Sequence, residues 1–112
     1  MNPVLEAVLG NHTVALVLLF IEAYGAGHAQ RIANTYGLGL SMTQRQLKRL
    51  EGNGVLVSRT VGRTRLFTFN ERNPTVRNLR QFLAAELELL PVDEVRRYFR
   101  QRQRPRRTRK AL

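Results

Sequence analysis

The stretch that decides the fold runs from His28 to Asn70 and reads HAQRIANTYGLGLSMTQRQLKRLEGNGVLVSRTVGRTRLFTFN. It predicts a short helix over residues 28–36, a turn at residues 37–39 and a second helix over residues 41–53. Two strand-like segments follow between residues 55 and 70, separated by a glycine-containing turn. Two short helices in tandem, followed by a hairpin, are typical of a domain that lays one helix against a large partner.

The charges of this stretch indicate what that partner is. Between residues 31 and 65, the basic side chains outnumber the acids strongly, with Glu51 as the one acid. The basic residues are Arg31, Arg45, Lys48, Arg49, Arg59, Arg63 and Arg65. The net charge of the 112-residue chain is +11, and a second basic cluster lies in the tail between residues 96 and 110. A basic middle flanked by mildly acidic segments favours a polyanion, and DNA above all.

The second helix of the stretch has a clear amphipathic pattern. Thr43, Leu47 and Leu50 share one face, which predicts contact with the core. The opposite face is uniformly basic, whereas an ordinary solvated face mixes both signs. Ser41 and Gln44 fit a capping box at the start of the helix.

The flanking segments predict a core helix and a long C-terminal helix. Residues 14–24 are apolar nearly all round and are long enough for a buried helix, although periodicity alone leaves a buried strand open. Asn73-Pro74 predicts the start of a helix over residues 73–90. Its apolar stripe is formed by Val76, Leu79, Leu83, Leu87 and Leu90. The stripe has two interpretations, packing on the core or dimerisation, and we favour dimerisation because a body this small gains from it.

Several function classes are disfavoured by composition. The absence of cysteine excludes disulfides and thiol catalysis, and it removes the thiolate ligands of a soft-metal sensor. His12 and His28 have no acid or thiol partner nearby in sequence, and the glycine pairs match no phosphate loop. We therefore predict no enzyme, no metal and no cofactor. The longest apolar run is far short of the roughly 20 residues of a membrane span, so a cytoplasmic, nucleoid-associated protein is expected.

The DNA interpretation assigns roles to individual side chains. Arg45 and Arg49, one turn apart, are predicted to read bases in the major groove, with Gln44 as a further base contact. Predicted phosphate contacts are Ser41, Thr43, Lys48, Arg31, Arg59, Arg63 and Arg65. These assignments require Arg45 and Arg49 to point outward on the same side of the molecule as the hairpin.

A family resemblance supports this interpretation. The residues that carry it are Ile32-Ala33, Gly37-Leu38, Leu47-Lys48-Arg49-Leu50-Glu51, Gly54-Val55-Leu56, Gly62-Arg63 and Phe67. Their run resembles the winged helix-turn-helix domain of small transcription regulators of the ArsR/MarR type. The opening residues 2–10 and the junction at residues 70–74 look closer to winged-helix regulators found beside nucleotidyltransferase domains. The resemblance implies a homodimer that reads an inverted repeat in double-stranded DNA through paired recognition helices, most often as a repressor. Thr43 stands where the family commonly has an aliphatic core residue.

The predicted fold class is thus α+β, mainly helical, a winged helix-turn-helix with a two-stranded wing and a C-terminal dimerisation helix. Residues 1–72 form the winged domain, with the recognition helix near 41–53 and the wing near 55–70. Residues 73–90 form the dimerisation helix, and residues 91–112 form a short helix and a disordered basic tail. Two alternatives remain: a protein-interaction or antitoxin-like partner, and nonspecific nucleic-acid binding through the tail.

Overall fold

The computed structural model describes residues 2–99. In this part of the chain the elements are α1 Pro3–Leu9, α2 His12–Tyr24, α3 Ala29–Tyr36, α4 Leu40–Gly52, β1 Leu56–Val61, β2 Thr64–Phe69, α5 Pro74–Glu88 and α6 Val92–Tyr98. The architecture is mainly helical α+β with one antiparallel pair of strands, as predicted. The prediction for the tail concerns residues 100–112, which lie outside the described residues.

Helix α2 is the centre of the core, which confirms the prediction for residues 14–24. Every residue from Val14 to Ala23 is buried, and α1, α3, α4 and α5 all pack against this helix. The Asn11 side chain caps the helix by accepting the Val14 amide, and Gly25 ends the helix with a positive φ. Within residues 2–99, no single helix combines the length and the apolar character that crossing a bilayer requires.

The turn between α3 and α4 follows one prediction and departs from another. The predicted turn is present, and Gly37 closes α3 there as a left-handed C-cap with a φ of +71°. Helix α4 begins one residue early, at Leu40, with Gly39 as its N-cap and no side-chain cap hydrogen bond. The predicted capping box at Ser41 is therefore wrong. Instead, the Thr43 hydroxyl donates to the Gly39 carbonyl oxygen at 2.9 Å.

The hairpin register makes its loop two residues long. Val61 pairs with Thr64, so Gly62 and Arg63 form the turn, and Gly62 takes a φ of +63°. The base of the hairpin is tied to the segment between α2 and α3. There, Gly27 and Phe67 exchange two backbone hydrogen bonds of 3.0 and 2.8 Å. A Cβ at Gly27 would lie 3.0 Å from side-chain atoms of Phe20 and Ile32, so a larger residue here would push these core side chains aside.

Helix α5 packs inside its own chain, and this corrects the predicted dimerisation stripe. Asn73 caps the helix and Pro74 begins it, as predicted. However, Val76, Leu83 and Leu87 are buried in the core of the single chain, and Leu79 and Leu90 pack partly buried against it. The stripe lies against α2, whose apolar surface on every side leaves a face for α5 to cover.

A buried carboxylate joins α2 to α5. Glu22 is 3% exposed, and its Oε1 accepts a 2.8 Å hydrogen bond from Arg80 Nε. The same guanidinium also pairs with the exposed Glu71 and lies 5.6 Å from the Phe69 ring centroid. The Glu22 hydrogen bond is the main cause that raises the pKa of Arg80 above its ordinary value. Arg80 therefore compensates the charge that α2 carries into the core.

Helix α6 docks through an aromatic cluster that includes Tyr98 and Phe99. The Tyr24 hydroxyl donates to the Tyr98 carbonyl oxygen at 2.9 Å, and the rings of Tyr36 and Tyr98 are 5.0 Å apart. The Tyr36 hydroxyl is buried and has no hydrogen-bond partner within residues 2–99. Burial is the main cause that raises the pKa of Tyr36 well above 10.0.

The unpaired hydroxyl predicts a pH-dependent effect of Tyr36→Phe. At pH 7 the variant should match or exceed the parent by about 1 kcal/mol, because an unsatisfied buried hydroxyl is removed. In the parent, Tyr36 stays neutral in the folded state while the unfolded chain ionises above about pH 10, so stability falls as pH rises. The variant should lose less stability between about pH 9 and pH 11, measured by urea unfolding.

Tyr24→Phe is the matched control for this prediction. It removes a hydroxyl that has a partner, so it should cost about 0.5–1.5 kcal/mol at pH 7. Equal losses in the two variants would contradict the assignment of an unpaired Tyr36 hydroxyl.

Candidate nucleic-acid interface

The outward face of α4 carries the predicted base and phosphate contacts. With Thr43, Leu47 and Leu50 buried, the opposite face of the helix is exposed. The side chains exposed there are Ser41, Gln44, Arg45, Lys48 and Arg49. Nε of Arg49 donates to Oε1 of Gln46 at 3.0 Å, so this guanidinium leans along the helix surface.

Thr43 does not belong to this surface, which corrects its assignment as a phosphate contact. Its side chain is fully buried, and its hydroxyl is used by the Gly39 carbonyl oxygen. Thr43 therefore stabilises the α3–α4 turn from the buried side of α4. A threonine satisfies its own hydroxyl here by bonding back to the residue four positions earlier.

The two faces of the hairpin carry different arginines. Successive residues of a strand alternate between faces, so Arg59 lies with the exposed Val57 and Val61. Arg65 lies on the other face, the one turned towards α4, and Arg63 stands in the loop. The predicted phosphate contacts of the hairpin are therefore divided, with Arg59 separated from Arg63 and Arg65.

A chain of hydrogen bonds connects α4 to the hairpin. The Ser58 hydroxyl donates to Glu51 Oε2 at 2.5 Å, and Arg65 Nη1 donates to the same Ser58 oxygen at 2.7 Å. Glu51, the one acid in the basic stretch, is thus used to hold the hairpin beside the helix. The result is a defined angle between the helix and the arginines of the hairpin.

Between α4 and the hairpin lies an open cleft of about 910 Å³. It is lined by residues from the start of α3, from α4 and from the hairpin. The lining includes His28, Gln30, Gln44, Lys48, Glu51, Arg63, Thr64 and Arg65, together with the buried Leu47 and Phe67. Lys48, Arg63 and Arg65 make the cleft cationic, while Ser58 engages the single carboxylate.

Other predicted contacts lie outside this cleft. Arg45 and Arg49 are exposed on α4 but do not line it, whereas Gln44 and Lys48 do. The Arg31 guanidinium lies 4.5 Å from the Tyr24 ring centroid, so it also covers the aromatic cluster. The basic surface therefore has two parts, the outward face of α4 and the cleft beside the hairpin.

Sequence reasoning missed His28, Gln30 and Ser58. Nδ1 of His28 accepts the Arg31 amide at 3.3 Å and caps α3, which places the histidine at the mouth of the cleft. Predicting the hydrogen bond from Ser58 to Glu51 would have required the strand register, which the sequence does not fix. By contrast, Gln44 and Lys48 are one helical turn apart, and this spacing could have indicated that they line the cleft together.

The hydrogen-bond donors of this surface are suited to anions. Within residues 2–99, no group of three His, Cys, Asp or Glu side chains could hold a metal ion.

Comparison of the chain with protein-family models, curated proteins and solved structures found no match.

Proposed function

We propose that this protein is a sequence-specific regulator of transcription that binds double-stranded DNA through a winged helix-turn-helix. The order α2, α3, α4, β1, β2 with a backbone bridge at Gly27 supports this interpretation, because it supplies a helix pair and a two-stranded hairpin that the bridge ties to the segment before α3. The observation that carries the proposal is the shared basic surface of α4 and the hairpin tip, held together by Glu51, Ser58 and Arg65.

In the proposed complex, α4 is the recognition helix. Its outward face is free of apolar anchors apart from Met42, and an α-helix fits the major groove of B-DNA. Arg45, Arg49 and Gln44 read base edges. Ser41 and Lys48 contact phosphates of the same groove, and Arg63 and Arg65 hold the adjacent backbone.

We further propose a homodimer on an inverted repeat, acting as a repressor. Since the α5 stripe is used inside the chain, we assign the dimer surface to exposed apolar side chains that lie away from α4 and the hairpin. These are Val4 and Val8 on α1, Phe82 and Leu89 near and at the end of α5, and Val92 at the start of α6. Exposed apolar side chains are typical of an interaction site where they form a contiguous patch, which the proposed dimer requires of these five.

The proposed base contacts predict a loss of specificity in Arg45→Ala and Arg49→Ala. Each variant should bind the preferred site about 5- to 150-fold more weakly, because a bidentate arginine–guanine pair discriminates by about 1–3 kcal/mol. Binding to unrelated duplexes should change far less. The measurement is fluorescence anisotropy with fragments of the region upstream of the protein's own gene.

Arg77→Ala is the charge-matched control, because Arg77 lies on α5 and does not line the cleft. It should leave the preferred site and its affinity nearly unchanged. If both α4 variants bind every duplex as tightly as the parent does, the base-reading assignment is wrong. Removing residues 100–112 tests the sequence-blind alternative, since a specific binder keeps its preferred site when basic residues are lost.

A further inference from the structure

Helix α6 is attached to the body of the protein by few buried side chains. Of residues 92–99, only Phe99, the C-cap of the helix, is buried, with 3% of its surface exposed. Val95 and Tyr98 pack partly buried beside it. Because burial of apolar surface is the main force that holds a helix against a core, α6 is held chiefly at its C-terminal end.

The start of α6 lies beside a pocket and not against a packed surface. The pocket has a volume of about 260 Å³ and lies between α1, the end of α5 and the start of α6. Its lining includes Leu5, Leu90 and Pro91, together with two carboxylates, Glu86 of α5 and Glu94 of α6. Like charges in one pocket disfavour its closure. The first turn of α6 therefore adds little to the attachment of the helix.

At its other end, α6 covers a polar group that it does not satisfy. The rings around Tyr36 are those of Tyr98 and Phe99, with centroids at 5.0 and 6.3 Å, and that of Phe20 at 6.3 Å. The Tyr36 hydroxyl is buried and has no hydrogen-bond partner within residues 2–99. A buried hydroxyl without a partner costs free energy that contact with water restores. Movement of Tyr98 and Phe99 away from the Tyr36 ring gives the hydroxyl that contact.

Tyr24 supplies contacts that oppose this movement. Its hydroxyl donates at 2.9 Å to the Tyr98 carbonyl oxygen, and its ring centroid lies 6.2 Å from that of Phe99. The docked position of α6 is thus favoured by this hydrogen bond and by the burial of Phe99, and it is disfavoured by the unpaired hydroxyl of Tyr36. Because these contributions have opposite signs, the free energy of opening is smaller than the burial of Phe99 alone would give.

We propose that α6 and Phe99 form a lid over Tyr36 that opens as one unit while α2 to α5 and the hairpin stay folded. Its hinge is Leu90-Pro91, between the end of α5 and the start of α6. Arg96 and Arg97, two exposed arginines of the basic cluster that continues to residue 110, lie on the lid. Their position relative to the basic face of α4 therefore changes when the lid opens, whatever the partner of that face is.

The test is amide hydrogen exchange of the ¹⁵N-labelled full chain in increasing concentrations of urea. The probes are the amides of Val95 and Phe99, which donate to the carbonyl oxygens of Pro91 and Val95 at 3.1 and 2.9 Å. Both should show the same protection factor, about a hundredfold or more below that of the α2 amides, because the lid opens without global unfolding. Their exchange should depend little on urea below about 1 M, since the opening exposes little surface.

Two tyrosine variants should shift this exchange in opposite directions. Tyr36→Phe should slow the exchange of both probes about fivefold, because the closed lid no longer covers an unpaired hydroxyl. Tyr24→Phe is the matched control, since it removes the hydroxyl that donates to Tyr98. It should accelerate the exchange of both probes by about 2- to 10-fold.

Two results would overturn the lid. If Val95 and Phe99 exchange with the protection and the urea dependence of the α2 amides, α6 opens only when the whole chain unfolds. If Phe99 exchanges much faster than Val95 and neither responds to Tyr36→Phe, the helix frays from its end without uncovering Tyr36. Neither result bears on the proposed DNA binding, which the anisotropy measurements test separately.

Discussion

Replacing Arg80 by methionine is expected to lower the free energy of unfolding by about 3–5 kcal/mol, because it leaves a buried carboxylate without its partner. Glu22 is almost completely buried on α2, while the Arg80 side chain is 27% exposed and donates to it at 2.8 Å. Methionine retains much of the aliphatic packing, so the loss reports the charge. Urea unfolding at pH 7 measures it.

Two further variants identify the cause of that loss. Glu71→Gln removes the other carboxylate of Arg80, and because Glu71 is exposed the cost should stay below about 1 kcal/mol. Glu22→Leu combined with Arg80→Met replaces the buried pair by apolar side chains and should recover most of the stability. A single Arg80→Met variant that unfolds at the same urea concentration as the parent would show that Glu22 does not need compensation.

Leu83→Ala is expected to destabilise the protein by about 2–5 kcal/mol, because Leu83 is fully buried within the single chain. The cost should be independent of protein concentration, since the cavity forms between α5 and α2 of one protomer. Chemical unfolding at several protein concentrations tests this. A cost that appears only at concentrations where the protein self-associates would return the α5 stripe to a dimer interface.

Leu89→Lys is the contrasting variant, at the C-cap of the same helix. Leu89 is 74% exposed, and a lysine at the end of a helix suits its negative pole, so stability should change by less than about 0.5 kcal/mol. This comparison is made at a dilution where the parent is monomeric. At higher concentration, the variant should shift the mass in analytical ultracentrifugation from dimer towards monomer.

Local signals were sufficient wherever one residue type settles a backbone conformation. Gly37 ends α3 because a positive φ costs glycine little, and Asn73-Pro74 starts α5 because the asparagine caps and the proline fits the first turn. The apolar run of α2 predicted a core helix because a helix that is apolar on every side must be surrounded. In these cases the local and the global preferences agree.

The predictions that failed concern what a side chain faces. Serine is a common N-cap residue, yet α4 starts one residue before Ser41, at Leu40. The buried Thr43 hydroxyl donates instead to the Gly39 carbonyl oxygen in the turn. The α5 stripe indicated a buried face but not the surface that covers it. A helix of the same chain and a helix of a second copy impose the same periodicity.

The amino-acid sequence by itself determined the helices, the hairpin, the core helix α2 and the excess of positive charge on the middle of the chain. The division of that charge was decided only by the tertiary structure. A strand alternates sides at every residue, so the two-residue loop at Gly62-Arg63 separates Arg59 from Arg65. Contacts with residues outside the hairpin fix its placement, namely the bridge from Gly27 to Phe67 and the hydrogen bond from Ser58 to Glu51.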